Sequence, residues 1–73
     1  MFVMTTELSL HIGARLKPFR QKLRLTQLEL AKIADIDSNT YAKIERGDQT
    51  PSLETLEKIV KALGVKSSDV LPF

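Results

Sequence analysis

The sequence contains no cysteine, so no disulfide can brace the fold and no metal site can be built on thiolates. Its single histidine, His11, has no second histidine beside it, and no metal or other cofactor is expected. No apolar run approaches the ~20 residues that a membrane-spanning helix needs. The first six residues are too short and too uncharged for a signal peptide. A length of 73 residues predicts one small domain. The absence of a membrane span and of a targeting segment predicts a cytoplasmic protein, or a nuclear one in a eukaryote.

Groups that could perform catalysis are also missing from the pattern. Thr26, Ser52 and Ser67 have no histidine or lysine base at a usable spacing, and they are interpreted as helix caps. Glu54 and Glu57 each precede a lysine by four residues, which is typical of a solvated helix surface. No glycine-rich loop is present to cradle a phosphate. The chain is therefore not expected to be an enzyme.

Basic residues are concentrated in one stretch, although the formal net charge is only +2. No acidic residue lies between Leu8 and Gln27, whereas acidic residues gather later in the chain. The basic residues of this stretch are Arg15, Lys17, Arg20, Lys22 and Arg24. Such a block indicates either a nucleic-acid site or a solvated helix face.

Helical periodicity dominates the chain, and the absence of strict alternation argues against strands. Five helical segments are predicted, at about residues 9–23, 26–34, 38–46, 52–63 and 67–71. Pro18 lies inside the first segment, where it predicts a kink or a later helix start.

The stretch from Thr26 to Gly47 is the most informative. Thr26 and Glu29 have the spacing of a capping box, Asp37 is a good N-cap, and Gly47 predicts a helix end. Two short helices joined by about three residues form a helix-turn-helix. Small polar side chains are expected to point outward from its second helix, at Ser38, Asn39, Thr40 and Lys43.

An ordered set of short sequences, each weak by itself, carries a resemblance over about residues 12–71. The set is Leu25-Thr26-Gln27, Leu30-Ala31, Lys43-Ile44-Glu45-Arg46-Gly47, Pro51-Ser52-Leu53-Glu54-Thr55-Leu56 and Ala62-Leu63-Gly64-Val65. It resembles the phage-repressor-like helix-turn-helix family, which includes lambda repressor, Cro-type and xenobiotic-response-element-type proteins. The resemblance implies a single all-α, five-helix domain over residues 1–73, with a flexible arm at 1–7. The third helix would lie in the major groove of DNA.

The resemblance also implies roles for individual residues. Base reading is expected from Ser38, Asn39 and Lys43, with adenine suited to Asn39 and guanine to Lys43. Contacts with backbone phosphates are expected from Gln27, Thr40, Arg20, Lys22 and Arg46. Arg20 is also expected to pair with Glu45, so that the first helix is tied to the third.

Some residues depart from the family pattern. Arg24 and Asp35 stand where the family commonly has glycine, so both turns are expected to carry strain. Tyr41 replaces an aliphatic core residue, and its hydroxyl would need a partner or the surface. Asp37 is interpreted as a cap, or as an acceptor from cytosine.

The predicted function is sequence-specific binding to double-stranded DNA, as a small dimeric regulator that represses at an inverted-repeat operator. Val70, Leu71 and Phe73 are candidate dimer contacts, together with Phe2 and Val3; equally, they could close the core beneath the first helix. The alternative function is a protein-interaction module, binding a toxin or a coactivator in the manner of an antitoxin. Leu28, Ile33 and Phe73 favour this alternative if they are exposed.

Overall fold

A computed structural model describes residues 6–73, which form four α-helices and one turn of 3₁₀-helix. The helices are α1 (Glu7–Lys22), α2 (Gln27–Ala34), α3 (Ser38–Arg46) and α4 (Leu53–Leu63). The all-helical prediction is confirmed, but the predicted fifth helix is only the 3₁₀ turn Ser67–Asp69. Pro72 follows closely and lacks an N–H, so the turn cannot propagate into a longer helix.

Helix α1 begins earlier than predicted because Thr6 caps it. The Thr6 hydroxyl accepts the Ser9 N–H at 3.0 Å, and the Ser9 hydroxyl accepts the Thr6 N–H at 2.9 Å. Thr6 and Glu7, assigned to the flexible arm by the resemblance, thus belong to the start of α1. Phe2 and Val3 lie outside the described residues. The helix runs without interruption through Pro18, so the predicted later start is wrong.

One hydrophobic core joins all the helical elements. Helix α1 packs on α3, and α2 packs on both α3 and α4. The buried side chains of this core are Ile12, Leu16, Leu30, Ala31, Tyr41, Ile44, Leu56, Ile59, Val60, Leu63 and Val70. Val70 is fully buried, so it closes the core and is not available as a dimer contact. Within residues 6–73, no helix is long and apolar enough to cross a lipid bilayer.

The turns on either side of α2 use the left-handed conformation. Arg24 and Asp35 both have φ of 59°, where most side chains are strained by about 1–2 kcal/mol. The Asp35 turn is closed by hydrogen bonds from the Asp35 and Ile36 N–H groups to the last turn of α2. These closing bonds fix the direction in which the chain leaves α2 and therefore where α3 begins.

Candidate nucleic-acid interface

Helices α2 and α3 form a helix-turn-helix in which local side-chain bonds define each helix start. Helix α2 begins with a capping box: the Thr26 hydroxyl accepts the Glu29 N–H at 3.0 Å, and the Glu29 carboxylate accepts the Thr26 N–H at 2.9 Å. Helix α3 begins at Asp37, whose Oδ2 accepts the Thr40 N–H at 3.1 Å. Only residues 35–37 separate the two helices, so their relative orientation is tightly constrained.

The outer side of α3 presents three exposed side chains, Asn39, Lys43 and Arg46, which we call the reading face. They follow one another at spacings of four and three residues, so they lie on one side of the helix. Ser38 and Thr40 flank the reading face and are half-buried. Of the three predicted base-reading residues, Asn39 and Lys43 therefore share a face, whereas Ser38 lies at its edge.

The predicted ion pair between Arg20 and Glu45 is formed, and it is bidentate. Arg20 Nε donates to Glu45 Oε2 and Arg20 Nη2 donates to Glu45 Oε1, both at 2.8 Å. Arg20 Nη1 also donates to the Leu25 carbonyl at 2.7 Å. The side chains of Arg20 and Glu45 are only 11% and 3% exposed. Arg20 is thus committed to tying α1 to α3, which argues against its predicted contact with a DNA phosphate.

Gln27 and Tyr41 complete a group around the same carboxylate, which we call the Glu45 cluster (Arg20, Gln27, Tyr41 and Glu45). Gln27 is the first residue of α2, and its Nε2 donates to Glu45 Oε1 at 3.3 Å. Three helices therefore converge on one carboxylate of α3. Gln27 remains half-exposed beside α3, and its predicted phosphate contact stays a prediction.

Protonation equilibria reflect this arrangement. Burial acts to raise the pKa of Glu45, but hydrogen bonds from Arg20 and Gln27 and the approach of the Tyr41 hydroxyl outweigh it, and the net shift is downward. The hydrogen bond from Arg20 to Glu45 raises the pKa of Arg20. Burial raises the pKa of Tyr41, whose hydroxyl makes no regular hydrogen bond with any described residue. Glu45 is thus held as a carboxylate and Tyr41 as a neutral phenol.

The basic block divides between two sides of α1. Arg15 Nε donates to the Asp69 carbonyl at 3.2 Å, so its side of α1 faces the C-terminal turn. Lys22 follows Arg15 by seven residues and shares that side, about 200° around the helix from Arg20. Lys17, three residues before Arg20, is the lysine nearer to the α3 side. Lys22 thus lies on the side of α1 away from Arg20, and its predicted phosphate contact stays a prediction.

Two structural features of this surface were missed by the sequence reasoning. Arg46 Nε lies 3.0 Å from Asp48 Oδ2, so a phosphate would have to compete with Asp48 for Arg46. Both side chains are exposed, and such pairs are weak. Gly13 lies where α1 crosses α3: a Cβ atom there would be 2.7 Å from the Ile44 carbonyl oxygen. A glycine inside a helix, costing about 1 kcal/mol, was the available signal for this close approach.

Comparisons with known proteins agree with this geometry. Residues 16–70 match the family model described as helix-turn-helix. The chain is 38% identical over 71 residues to control protein C.BamHI of Bacillus amyloliquefaciens, covering 96% of this chain and 88% of that protein. It is 40% identical over 60 residues to the immunity repressor protein of Bacillus phage phi105, covering 82% of this chain but only 42% of that repressor.

A solved structure extends the comparison to a protein bound to DNA. The master regulator for biofilm formation SinR, solved in complex with DNA, superposes on 75% of this chain and 89% of its own. The TM-score is 0.72 and the sequence identity is 36%.

Proposed function

We propose, since this chain belongs to the helix-turn-helix family that its residues 16–70 match, that it is a sequence-specific DNA-binding repressor of transcription. It would act in the cytoplasm by binding double-stranded DNA as a homodimer, and not by catalysis. Occupation of an operator at a promoter would block polymerase. C.BamHI and the phi105 protein, named a control protein and an immunity repressor, support this role.

The reading face is the observation that carries the proposal. Asn39 and Lys43 are exposed on one side of α3, and Asn39 lies at the helix start that a helix-turn-helix presents to base edges. Lys43 suits the acceptors of guanine and Asn39 suits adenine. The Glu45 cluster holds α3 from behind, so these side chains are presented on a fixed helix. Arg46, at the C-terminal end of the reading face, and Gln27 and Thr40 beside it would contact phosphates, which position the protein without specifying sequence.

Replacing Asn39 or Lys43 by alanine is expected to weaken binding to the preferred DNA sequence by about tenfold or more, because a good bidentate base contact contributes about 1–3 kcal/mol. The preferred sequence would first be obtained by selection from a random duplex library at about 0.15 M salt, where non-specific binding is weak. Affinities of the variants would then be measured by fluorescence anisotropy on that sequence and on a scrambled duplex.

Lys66→Ala is the matched control for Lys43→Ala, since it removes the same charge from an exposed lysine outside the helix-turn-helix. It should leave the preference for the selected sequence unchanged. Equal losses on selected and scrambled duplexes for Asn39→Ala and Lys43→Ala would contradict base reading by these residues. Failure of the wild-type chain to enrich any sequence would contradict the proposed function itself.

A groove beside α4 is the surface proposed for pairing two copies. Its cavity measures about 370 Å³ and is lined by Leu53, Leu56, Glu57, Val60, Lys61, Ser67 and Leu71. Leu53 is 84% exposed and Phe73 is 82% exposed, so a monomer leaves both apolar side chains in water. Lys61 Nζ lies 3.8 Å from Glu57 Oε2, so the groove offers charges of both signs to a second copy related by two-fold symmetry. An apolar centre with mixed charges suits a self-complementary interface.

Leu53→Glu is expected to raise the dissociation constant of the dimer by about tenfold or more, because burial of a leucine contributes about 1.5–3 kcal/mol. Leu53 is exposed, so the monomer should fold normally. Sedimentation equilibrium would measure the association, with Leu28→Glu as a matched leucine outside the groove. Dimers of Leu53→Glu as strong as those of the wild type would exclude this groove as the interface.

The second candidate function, a protein-interaction module, is favoured by one observation. Leu28 and Ile33 of α2 are 53% and 58% exposed, outside the core and outside the groove beside α4. Exposed apolar residues at such positions could contact a toxin or a coactivator. If the library selection enriches no sequence, this candidate becomes the leading one, and a Leu28→Ser/Ile33→Ser variant would test it.

A further inference from the structure

Asp37 places a carboxylate at the end of α3 that would enter the major groove. Its Oδ2 is occupied, because it accepts the Thr40 N–H at 3.1 Å and so caps the helix. Its Oδ1 has no hydrogen-bond partner among residues 6–73, and the residue is exposed. One carboxylate oxygen, Oδ2, therefore stabilises the helix start, while the other, Oδ1, is a free acceptor beside Ser38.

Few DNA groups can satisfy a free acceptor in this position. A carboxylate accepts hydrogen bonds and donates none. The donors in the major groove are the N4 amino group of cytosine and the N6 amino group of adenine, and the latter stands beside the N7 acceptor. Guanine and thymine present acceptors there, which repel a carboxylate. Contact with the free oxygen of Asp37 is thus most favourable at cytosine, less favourable at adenine, and unfavourable at guanine and thymine.

The charge of Asp37 sharpens this choice. The carboxylate would lie between two rows of phosphates, where it is repelled unless a donor meets it. In the free protein it is supported by the N-terminus of α3 and by its cap, so the repulsion is felt only on DNA. A group that weakens binding to unmatched sequences adds selectivity without adding affinity.

Resting on the proposed function, we propose that Asp37 is a specificity-determining residue. Its free oxygen accepts a hydrogen bond from a cytosine N4 at one position of each half-site and excludes guanine and thymine there. The reading face supplies donors from Lys43 and Asn39, and Asp37 supplies the acceptor. A donor that suits guanine and an acceptor that suits cytosine together allow the domain to distinguish a G·C pair from a C·G pair.

Two substitutions separate base reading from helix capping, because serine and asparagine are both good N-caps. Asp37→Ser retains the cap but removes the charge and the second oxygen. Asp37→Asn retains size and cap but, with its oxygen on Thr40, turns its NH₂ donor outward. Asp35→Asn is the matched control, since it makes the same change two residues earlier, at a left-handed position that asparagine tolerates. Thermal unfolding would verify that all three variants fold.

Library selection would be carried out on the wild type and on all three variants at about 0.15 M salt. The wild type should prefer cytosine at one half-site position by about tenfold over guanine. Asp37→Ser should lose that preference at this position alone, Asp37→Asn should shift it to guanine or thymine, and Asp35→Asn should retain it. An enriched motif that both Asp37 variants leave unchanged would overturn this inference alone. A wild type that enriches no motif would overturn the proposed function as well.

Discussion

Glu45→Ala is expected to lower the free energy of unfolding by about 3–5 kcal/mol, because it leaves the Arg20 guanidinium largely buried without its partner. A domain of this length has a total stability of roughly 4–11 kcal/mol. The substitution would therefore remove a large part of the stability, and the reversal Glu45→Lys should be worse. Urea unfolding followed by circular dichroism would measure the loss.

Two comparison variants make this result interpretable. Glu57→Ala removes a glutamate from the exposed pair with Lys61, and should change stability by less than about 1 kcal/mol. The double variant Arg20→Met/Glu45→Met leaves no buried charge unpaired and should recover much of the loss. A Glu45→Ala loss as small as that of Glu57→Ala would mean that water screens the pair as it does a surface pair.

The double variant also tests the connection between the Glu45 cluster and the reading face. Methionines cannot reproduce the directional bonds that tie α1 and Gln27 to α3. A chain that folds but holds α3 less firmly should bind its preferred DNA sequence more weakly. Its salt dependence should stay unchanged, because the guanidinium of Arg20 is committed to Glu45 and the Leu25 carbonyl, and the proposed phosphate contacts of Gln27, Thr40 and Arg46 are all retained.

Helix starts and turns were predictable because their causes are local. Thr26 with Glu29, and Asp37 before Ser38, satisfy free backbone groups within a few residues, and the structure shows these bonds. The start of α1 was missed because its capping box uses Ser9 in place of a glutamate or glutamine.

The burial and the contacts of individual side chains were harder to predict because they depend on packing between segments that are distant in sequence. Periodicity alone could not tell that Val70 closes the core, since an apolar residue near a terminus has two possible uses. The basic block is continuous in sequence, yet Lys22 and Arg20 lie on opposite sides of α1 because they are two residues apart in a helix. The Arg20–Glu45 pair followed from the resemblance. The commitment of the Arg20 guanidinium to the Leu25 carbonyl did not, because it depends on the turn geometry after α1.

Gly13→Ala is expected to destabilise the fold by about 2 kcal/mol, although alanine is the better helix former by about 1 kcal/mol. A Cβ atom at this position would lie 2.7 Å from the Ile44 carbonyl oxygen and still closer to that of Glu45. Both obstacles are backbone atoms of α3, so no side-chain rotation can relieve the contact. Helix α1 would have to move away from α3, which opens the core at Ile12 and Leu16.

The movement forced by a methyl group at Gly13 would also reach the DNA-binding surface, because the residue it displaces is Glu45 itself. Chemical unfolding would give the stability, and the NMR resonance of Arg20 Nε–H would show whether its bond to Glu45 persists. Ala14→Gly is the matched control: Ala14 is exposed on the same turn of α1, so only helix propensity should change, at a cost of about 1 kcal/mol. A Gly13→Ala variant more stable than the wild type would contradict this prediction. It would mean that the gain in helix propensity exceeds the cost of moving α1 away from α3. If the variant is destabilised and the Arg20 resonance is displaced, the close crossing at Gly13 sets the distance between Arg20 and Glu45. The position of α3 relative to α1 then depends on the absence of a side chain at Gly13.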